Sequence, residues 1–186
     1  AKGSLRLLFL GNLIRRKGLH DLLTALAALR DRDWHLDVVG SLERDPDYVA
    51  DIRRRAKQLD LAERITLHGT LDESLLTEKY TKCQVLVVPS SYEGFGIVYL
   101  EGMSFGLPVI ATMAGGTDEI VRHESTGFLV QPGDTVSLGR QLEQLMDDPE
   151  LLARMSLASL AAFRGHPTWE TSMKKVSRFL TDLSRA

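Results

Sequence analysis

The stretch LRLLFL, from Leu5 to Leu10, is an apolar run that ends at Gly11 and Asn12. From Leu19 onward the apolar residues recur with a helical period, so this opening predicts a strand, a loop and then a helix. Similar units follow along the chain, and the further predicted strands cover residues 34–39, 64–67, 84–88, 107–111 and 127–130. Strands that alternate with helices in units of this size predict a parallel sheet covered on both faces, with right-handed crossovers.

The segments between the strands carry helix-start signals. Asp45-Pro46 offers an N-cap and a proline at the first helical position, and Asp72 can cap a helix that runs to about Lys82. Shorter helices are predicted over 96–105 and 117–123. After the sixth strand only helical periods remain, and two of these helices open at Asp148-Pro149 and at a Thr168 cap. We therefore predict an α/β fold: a doubly wound, Rossmann-like parallel sheet of six strands in the order 3-2-1-4-5-6, followed by C-terminal helices.

Length and composition fit one domain over residues 1–186, because 44% apolar and 26% charged residues are ordinary for a globular protein of this size. The formal net charge of -2 provides no basic field for nucleic acid, and no apolar run is long enough to cross a bilayer. Cys83 is the single cysteine and no signal sequence is visible, so we predict a reducing, cytoplasmic location. The chain enters a strand four residues after Ala1, as a piece of a longer protein would.

The strand order predicts where a ligand binds. In an open parallel sheet, ligands lie beyond the C-terminal strand ends at the point where the strand order reverses, which here is between strands one and four. The loop after strand one brings Arg15, Arg16 and Lys17 to the start of a helix, where a phosphate group would be favoured. Taken by itself, this loop is better explained as a solvated run of charges.

The loop after strand four is richer in polar chemistry. Glu93 precedes Gly94-Phe95-Gly96, so a carboxylate lies beside glycines that let a ligand approach the backbone and beside the first N–H groups of a helix. Glu101 follows eight residues later on the same predicted helix, as a second acceptor. Taken alone, two glutamates at this spacing are as well explained as surface residues.

Other candidate groups are weaker. Gly115-Gly116 before Thr117 fits either another anion-accepting helix start or a simple turn with an N-cap. The histidines have no second histidine or cysteine at metal-ligand spacing, so we predict no metal site. Cys83 precedes a buried strand, where we expect a packed thiol rather than a nucleophile.

Seven short motifs, in this order and spacing, resemble the C-terminal domain of family 4 glycosyltransferases, the group 1 retaining enzymes of GT-B fold. The resemblance covers nearly the whole chain. The motifs are Lys17-Gly18, Pro89-Ser90, the segment from Glu93 to Glu101, Gly106-Leu107-Pro108-Val109, Gly115-Gly116, Glu119-Ile120-Val121 and the segment from Thr126 to Val130.

The resemblance implies that this domain binds a nucleotide-diphosphate sugar, with UDP, GDP or ADP as the nucleotide, as substrate and without a cofactor or a required metal. A separate N-terminal domain, absent from these residues, would bind the acceptor, so we expect the isolated domain to bind the donor without turnover. Lys17 would contact the diphosphate, Glu93 would hold sugar hydroxyls and Glu101 would bind the ribose. Backbone groups would complete the site: Gly94, Phe95, Gly96, Ile97 and Val98 at the sugar and phosphate, and Gly69, Thr70 and Leu71 at the base.

One position departs from the family pattern. The family commonly has an arginine directly after the first strand's glycine, and this sequence has Asn12 there. Either Arg15 or Arg16 could supply the missing charge from the same loop, or the enzyme could rely on Lys17 and helix N-termini.

Two other functions remain open at this point. One is a GT-B relative such as a sugar-nucleotide epimerase, which would share the donor. The other is a non-catalytic receiver-type module, which would need acidic residues at the end of the first strand, where this sequence has Leu10-Gly11-Asn12. The final helix, with Trp169, Phe179 and Leu180, resembles the family's closing helices, and an exposed apolar face on it would indicate the interface with the missing domain.

Overall fold

The computed structural model describes residues 4–167 and 169–183. Within these ranges one parallel sheet of six strands has the order β3-β2-β1-β4-β5-β6, which confirms the predicted fold class and strand order. Leu7 of β1 pairs with Leu36 on one side and with Val85 on the other. The strands are β1 Leu5–Leu10, β2 Trp34–Val39, β3 Ile65–Gly69, β4 Val85–Val88, β5 Val109–Thr112 and β6 Gly127–Val130.

Helices cover both faces of this sheet, because the crossovers reverse direction after β3 while staying right-handed. α1 packs against α2 and α6, and α4 packs against α7. The helices are α1 Leu19–Ala27, α2 Pro46–Gln58, α3 Glu73–Lys82, α4 Ile97–Ser104, α5 Thr117–Ile120, α6 Thr135–Asp147, α7 Pro149–Gly165 and α8 Trp169–Leu183.

The half of the sheet from β4 to β6 is the most completely buried. Every residue of β4, β5 and β6 is buried, as expected for parallel strands with helices on both faces. The caps inferred for α2, α3 and α7 are confirmed: Asp45, Asp72 and Asp148 each accept a hydrogen bond from the backbone N–H three residues on. The predicted Thr168 cap lies outside the described residues.

The bounds of β3 and β5 differ from the prediction. β3 begins after Arg64, which ends a short 3-10 turn and places its guanidinium carbon 3.9 Å from the centre of the Trp34 ring. β5 starts at Val109 because the Leu107 N–H is already bonded to the Gly102 carbonyl at 3.1 Å, and Pro108 has no N–H for a strand ladder.

α5 is shorter than predicted and ends at Ile120 instead of His123. The chain beyond it turns back to the sheet: the Arg122 N–H binds the Thr126 hydroxyl at 2.9 Å, and His123 Nδ1 accepts the Leu129 N–H at 3.0 Å. The Thr126 hydroxyl therefore takes the place of a helical carbonyl for the Arg122 N–H, and His123 is bonded to β6.

α8 carries an exposed apolar face. Met173, Val176, Phe179 and Leu180 are all exposed, so packing against the sheet does not account for these side chains. The environment of the Trp169 side chain lies outside what the structure describes. An interface with another domain at this face stays a prediction. No helix among the described residues has both the length and the apolar character needed to span a membrane.

Candidate functional site at the C-terminal strand ends

The loops after β1 and β4 meet through an ion pair. Lys17 Nζ lies 2.5 Å from Glu93 Oε2, although the two residues are 76 positions apart in sequence. Both side chains are largely enclosed, with 12% and 13% of their surfaces exposed. The stem of Lys17 lies along Gly11, where an added Cβ would be 3.3 Å from Lys17 Cε. The structure thus brings together the two side chains for which the family resemblance implies contacts to the diphosphate and the sugar.

Gly18 allows these two loops to lie against each other. Its φ of 73° is in the left-handed region, and a Cβ there would be 2.0 Å from the Pro89 carbonyl oxygen. Just before it, Arg15–Lys17 form a 3-10 turn whose Arg16 carbonyl accepts the Ser91 N–H at 2.8 Å. The Arg16 guanidinium also donates to the Tyr92 carbonyl. Backbone contacts therefore hold the cations of one loop beside the carboxylate of the other.

A third loop, after β5, fixes the backbone of Glu93. Gly115 has a φ of 70°, and a Cβ there would be 1.8 Å from the Glu93 carbonyl oxygen. The Gly116 N–H donates to that same carbonyl at 3.2 Å. Sequence analysis offered either an anion site or a turn for these glycines. The structure adds that they hold the backbone of the loop carrying Glu93, a role with no local sequence signal because it depends on a contact between loops.

Among the described residues, the hydrogen bonds and ion pairs of the Glu93 carboxylate involve one of its two oxygens, Oε2. Oε2 lies 2.5 Å from Lys17 Nζ, 3.4 Å from the Ser90 hydroxyl and 4.0 Å from an Arg16 nitrogen. In the part of the chain that the structure describes, no hydrogen bond reaches Oε1. Because a carboxylate has about four acceptor positions, Glu93 keeps acceptor capacity for a ligand.

The two loop arginines point in different directions. Arg16 faces Glu93, whereas an Arg15 nitrogen lies 4.0 Å from Asp51 Oδ2 and its guanidinium carbon lies 5.8 Å from the centre of the Tyr48 ring. Asn12 is exposed. Of the two candidates for the missing family arginine, Arg16 is the one that the fold brings to Glu93.

The loop after β4 leads directly into α4. Gly96, at φ 77°, is the residue before the helix, and a Cβ there would be 2.4 Å from the Tyr99 ring. Nothing lies within 4 Å of a Cβ built on Gly94, while Phe95 and Ile97 are exposed and Val98 is half-buried. The first N–H groups of a helix have no partner inside it, so this opening offers donors beside Glu93.

The remaining predicted residues lie apart from this ion pair. Gly69, Thr70 and Leu71 follow β3, and the Gly69 carbonyl accepts the Gly40 N–H at 2.9 Å. Glu101 is exposed on α4, and its Oε2 accepts a hydrogen bond from the Tyr80 hydroxyl at 2.9 Å. No pattern in the sequence indicates this role for Tyr80, because its position on a helix carries no sign of a contact with another helix.

A separate buried ionic group lies inside the sheet and was also missed. Asp37 of β2 accepts from His68 Nε2 at 2.5 Å and from Lys79 Nζ at 2.9 Å, and an Arg6 nitrogen lies 3.7 Å away. Burial acts to raise the pKa of Asp37, but the hydrogen bonds from His68 and Lys79 outweigh it and hold the pKa below its usual value. The described residues contain no group of three or more histidine, cysteine, aspartate or glutamate side chains arranged to hold a metal ion.

The fold is a doubly wound α/β domain, and the Lys17–Glu93 pair follows β1 and β4, the neighbouring strands at which the strand order reverses. Residues 1–159 match the family model described as "Glycosyl transferases group 1". The chain therefore belongs to the group 1 glycosyltransferase family, as the sequence motifs indicated.

Relatives and solved structures agree with this assignment. The alpha-1,3/1,6-mannosyltransferase ALG2 of Homo sapiens is 31% identical over 180 residues, covering 91% of this chain and 43% of ALG2. The C-terminal domain of the group 1 glycosyl transferase LpcC from Francisella tularensis has a TM-score of 0.80 and 26% identity, covering 88% of this chain and 86% of that one. HepE of Anabaena, solved in complex with UDP-glucose, has a TM-score of 0.85 and 26% identity, covering 96% of this chain and 49% of HepE.

These coverages also describe how much of a relative the chain represents. It spans less than half the length of ALG2 and of HepE, and most of the isolated LpcC domain. The predicted likeness to the C-terminal domain of a GT-B enzyme is confirmed.

Proposed function

We propose that this chain binds a nucleotide-diphosphate sugar as the donor for retaining glycosyl transfer. The observation that carries the proposal is the Glu93 carboxylate, which is held by Lys17 through Oε2 while no described residue hydrogen-bonds its Oε1. A cation and a free acceptor at one point suit a ligand in which a phosphate is bonded directly to a hydroxyl-bearing sugar. The UDP-glucose complex of HepE supports this class of ligand.

The charges in the site match the charges that the reaction develops. Breaking a glycosyl–phosphate bond builds positive charge on the sugar and negative charge on the departing diphosphate. Lys17, Arg16 and the first N–H groups of α4 would stabilise the diphosphate, while Glu93 would hold sugar hydroxyls and orient the reacting carbon. The departing phosphate would accept the proton of the acceptor hydroxyl, so no separate base is required.

Arg16 is our choice for the cation that the family pattern places at Asn12. Its guanidinium lies 4.0 Å from Glu93 and donates to the Tyr92 carbonyl, both in the cleft loop, whereas Arg15 faces Asp51 on α2. The backbone at Gly69, Thr70 and Leu71 would meet the base, and the carboxylate of Glu101 would meet the ribose.

The acceptor would bind to a separate N-terminal domain that closes over the cleft. We therefore propose donor binding without turnover for these 186 residues alone. Membership of the glycosyltransferase family favours transfer over the epimerase and receiver alternatives. We place the activity in the cytoplasm, where a buried free thiol such as that of Cys83 stays reduced.

Ligand-induced stabilisation tests the proposal. At about 100 times its dissociation constant, the correct nucleoside diphosphate among UDP, GDP and ADP should raise the melting temperature by about 5–10 °C. Lys17→Ala should abolish the rise. Lys57→Ala, at an exposed position on α2, is the matched control and should preserve it. A chelator should change nothing, because the proposed site uses no metal.

Thermal scanning of the purified chain measures all of these effects. The proposal is wrong if none of the three nucleotides shifts the wild-type melting temperature. Retention of the full shift by Lys17→Ala would remove the lysine from the diphosphate site.

A further inference from the structure

The predicted ribose-binding residue Glu101 is held by a residue on a different helix. The Tyr80 hydroxyl, on α3, donates to Glu101 Oε2 at 2.9 Å. Glu101 is exposed, so without this bond its long side chain would be free to change rotamer. The contact fixes the carboxylate through Oε2, and no other residue that the structure describes hydrogen-bonds its Oε1.

Tyr80 is rigid enough to position its partner. It is only 4% exposed, and its ring stacks on Phe105 with a centroid separation of 4.8 Å and an interplanar angle of 5°. The residue before it, Lys79, binds the buried Asp37 of β2 at 2.9 Å, which ties this part of α3 to the sheet. Stacking on Phe105 therefore holds the Tyr80 ring in place, and the ion pair of the adjacent Lys79 with Asp37 holds this part of α3 against the sheet.

In this pair the Tyr80 hydroxyl is the hydrogen-bond donor and the Glu101 carboxylate is the acceptor. Burial, followed by the negative charge of Glu101, raises the pKa of Tyr80 above its ordinary value, so the phenol remains protonated at neutral pH. One bond from Tyr80 uses one of about four acceptor positions on the carboxylate, which leaves room for both hydroxyls of a ribose.

We infer that Tyr80 is a positioning residue that holds the Glu101 carboxylate in place for the ribose of the donor nucleotide. This inference rests on the proposed function. Tyr80 itself does not contact the nucleotide. It restricts the rotamers of Glu101 in the free protein, so that Glu101 loses less conformational entropy when it binds the ribose. Its effect should therefore depend on the ribose hydroxyls and not on the base or the diphosphate.

Calorimetric titration of the 186-residue chain tests this dependence. The probes are whichever of UDP, GDP and ADP binds the wild type most tightly, and its 2′,3′-dideoxy analogue, which lacks both ribose hydroxyls. Tyr80→Phe keeps the stacked ring and removes only the hydroxyl. We expect the dissociation constant for the ribonucleotide to rise by about 3-fold to 10-fold, with no change for the dideoxy analogue.

Tyr48→Phe is the matched control. Tyr48 is also 4% exposed, and its hydroxyl bonds His20 Nδ1 at 2.9 Å, on the α1–α2 side of the molecule. This variant should leave the affinities for both nucleotides unchanged. Glu101→Ala should show a ribose-specific loss at least as large as that of Tyr80→Phe, and adding Tyr80→Phe to it should cause no further loss.

The outcomes distinguish failure of the positioning role of Tyr80 from failure of donor binding itself. Equal weakening of both nucleotides by Tyr80→Phe, no weakening of either, or additive losses with Glu101→Ala would overturn the positioning role while leaving donor binding intact. A wild type that binds none of the three nucleotides would overturn the proposed function and this inference with it.

Discussion

Two lysine–carboxylate pairs in this chain differ in how completely the carboxylate is used. Asp37, inside the sheet, has contacts on both oxygens: His68 and Lys79 reach Oδ1, while Arg6 and the Cys83 thiol each lie 3.7 Å from Oδ2. Glu93, at the C-terminal strand ends, is contacted only at Oε2 by the described residues. The acceptor positions of Asp37 are taken up by protein groups, whereas Glu93 keeps acceptor positions without a partner. This is the difference expected between a structural ion pair and one that binds a ligand.

The difference follows from position in the fold. The Asp37 side chain is 3% exposed in the middle of β2, where an unpaired charge is costly, so the surrounding helix and strands supply partners. Glu93 lies in a loop whose neighbours hold its backbone rather than its carboxylate, since Gly115 and Gly116 both approach its carbonyl. A ligand can complete the second site but has no access to the first.

The largest expected effect of this difference is on stability. Asp37→Asn keeps the shape of the side chain but leaves the cations Lys79 and Arg6 beside a neutral amide, so the free energy of unfolding should fall by about 3 kcal/mol. Glu93→Gln, the same change at the cleft, should cost less, about 1–2 kcal/mol. It weakens one close contact from Lys17 and a longer one from Arg16, whereas Asp37 has two close donors, His68 and Lys79. Urea unfolding of both variants measures the two losses, and losses of equal size would contradict the comparison.

The contribution of Asp37 to stability should also depend on pH, which is a smaller effect. The pKa of Asp37 is lowered in the folded chain, so its contribution to stability is fully present above the unfolded value, about 4, and is lost as the pH falls through the folded value. The difference in free energy of unfolding between wild type and Asp37→Asn should stay constant from pH 7 to pH 5 and shrink below about pH 4. Urea titrations at each pH measure it, and a difference unchanged at pH 3 would refute the assignment.

The smallest expected effect concerns the cations around Glu93. Arg16→Ala should weaken binding of the nucleoside diphosphate by about 3-fold to 10-fold, as the loss of one partly exposed charge contact does. Arg15→Ala, an identical change one residue away, should leave the affinity unchanged because Arg15 faces Asp51. Calorimetry measures both constants. A larger loss for Arg15→Ala than for Arg16→Ala would show that Arg15, and not Arg16, replaces the arginine that the family commonly has at the position of Asn12.

Much of the fold could be predicted because periodicity and caps are local. The strand at Leu5–Leu10, the Asp45 and Asp72 caps and the strand order all agree with the structure. The errors occurred where a distant group replaced a local one. α5 stops at Ile120, since the Arg122 N–H bonds the Thr126 hydroxyl and His123 bonds β6, and no pattern around residue 120 reveals these contacts.

The sequence by itself determined the family, the parallel sheet and the meeting of the Lys17 and Glu93 loops at the same strand ends, because these depend on apolar periods and on motifs with defined spacing. Tertiary structure alone decided that Arg16 and not Arg15 faces Glu93, that Gly115 clamps the Glu93 backbone and that Tyr80 holds Glu101. Each of these depends on the direction of a side chain or on a backbone approach between distant segments. Such directions are set by packing, which a linear pattern of residue types does not contain.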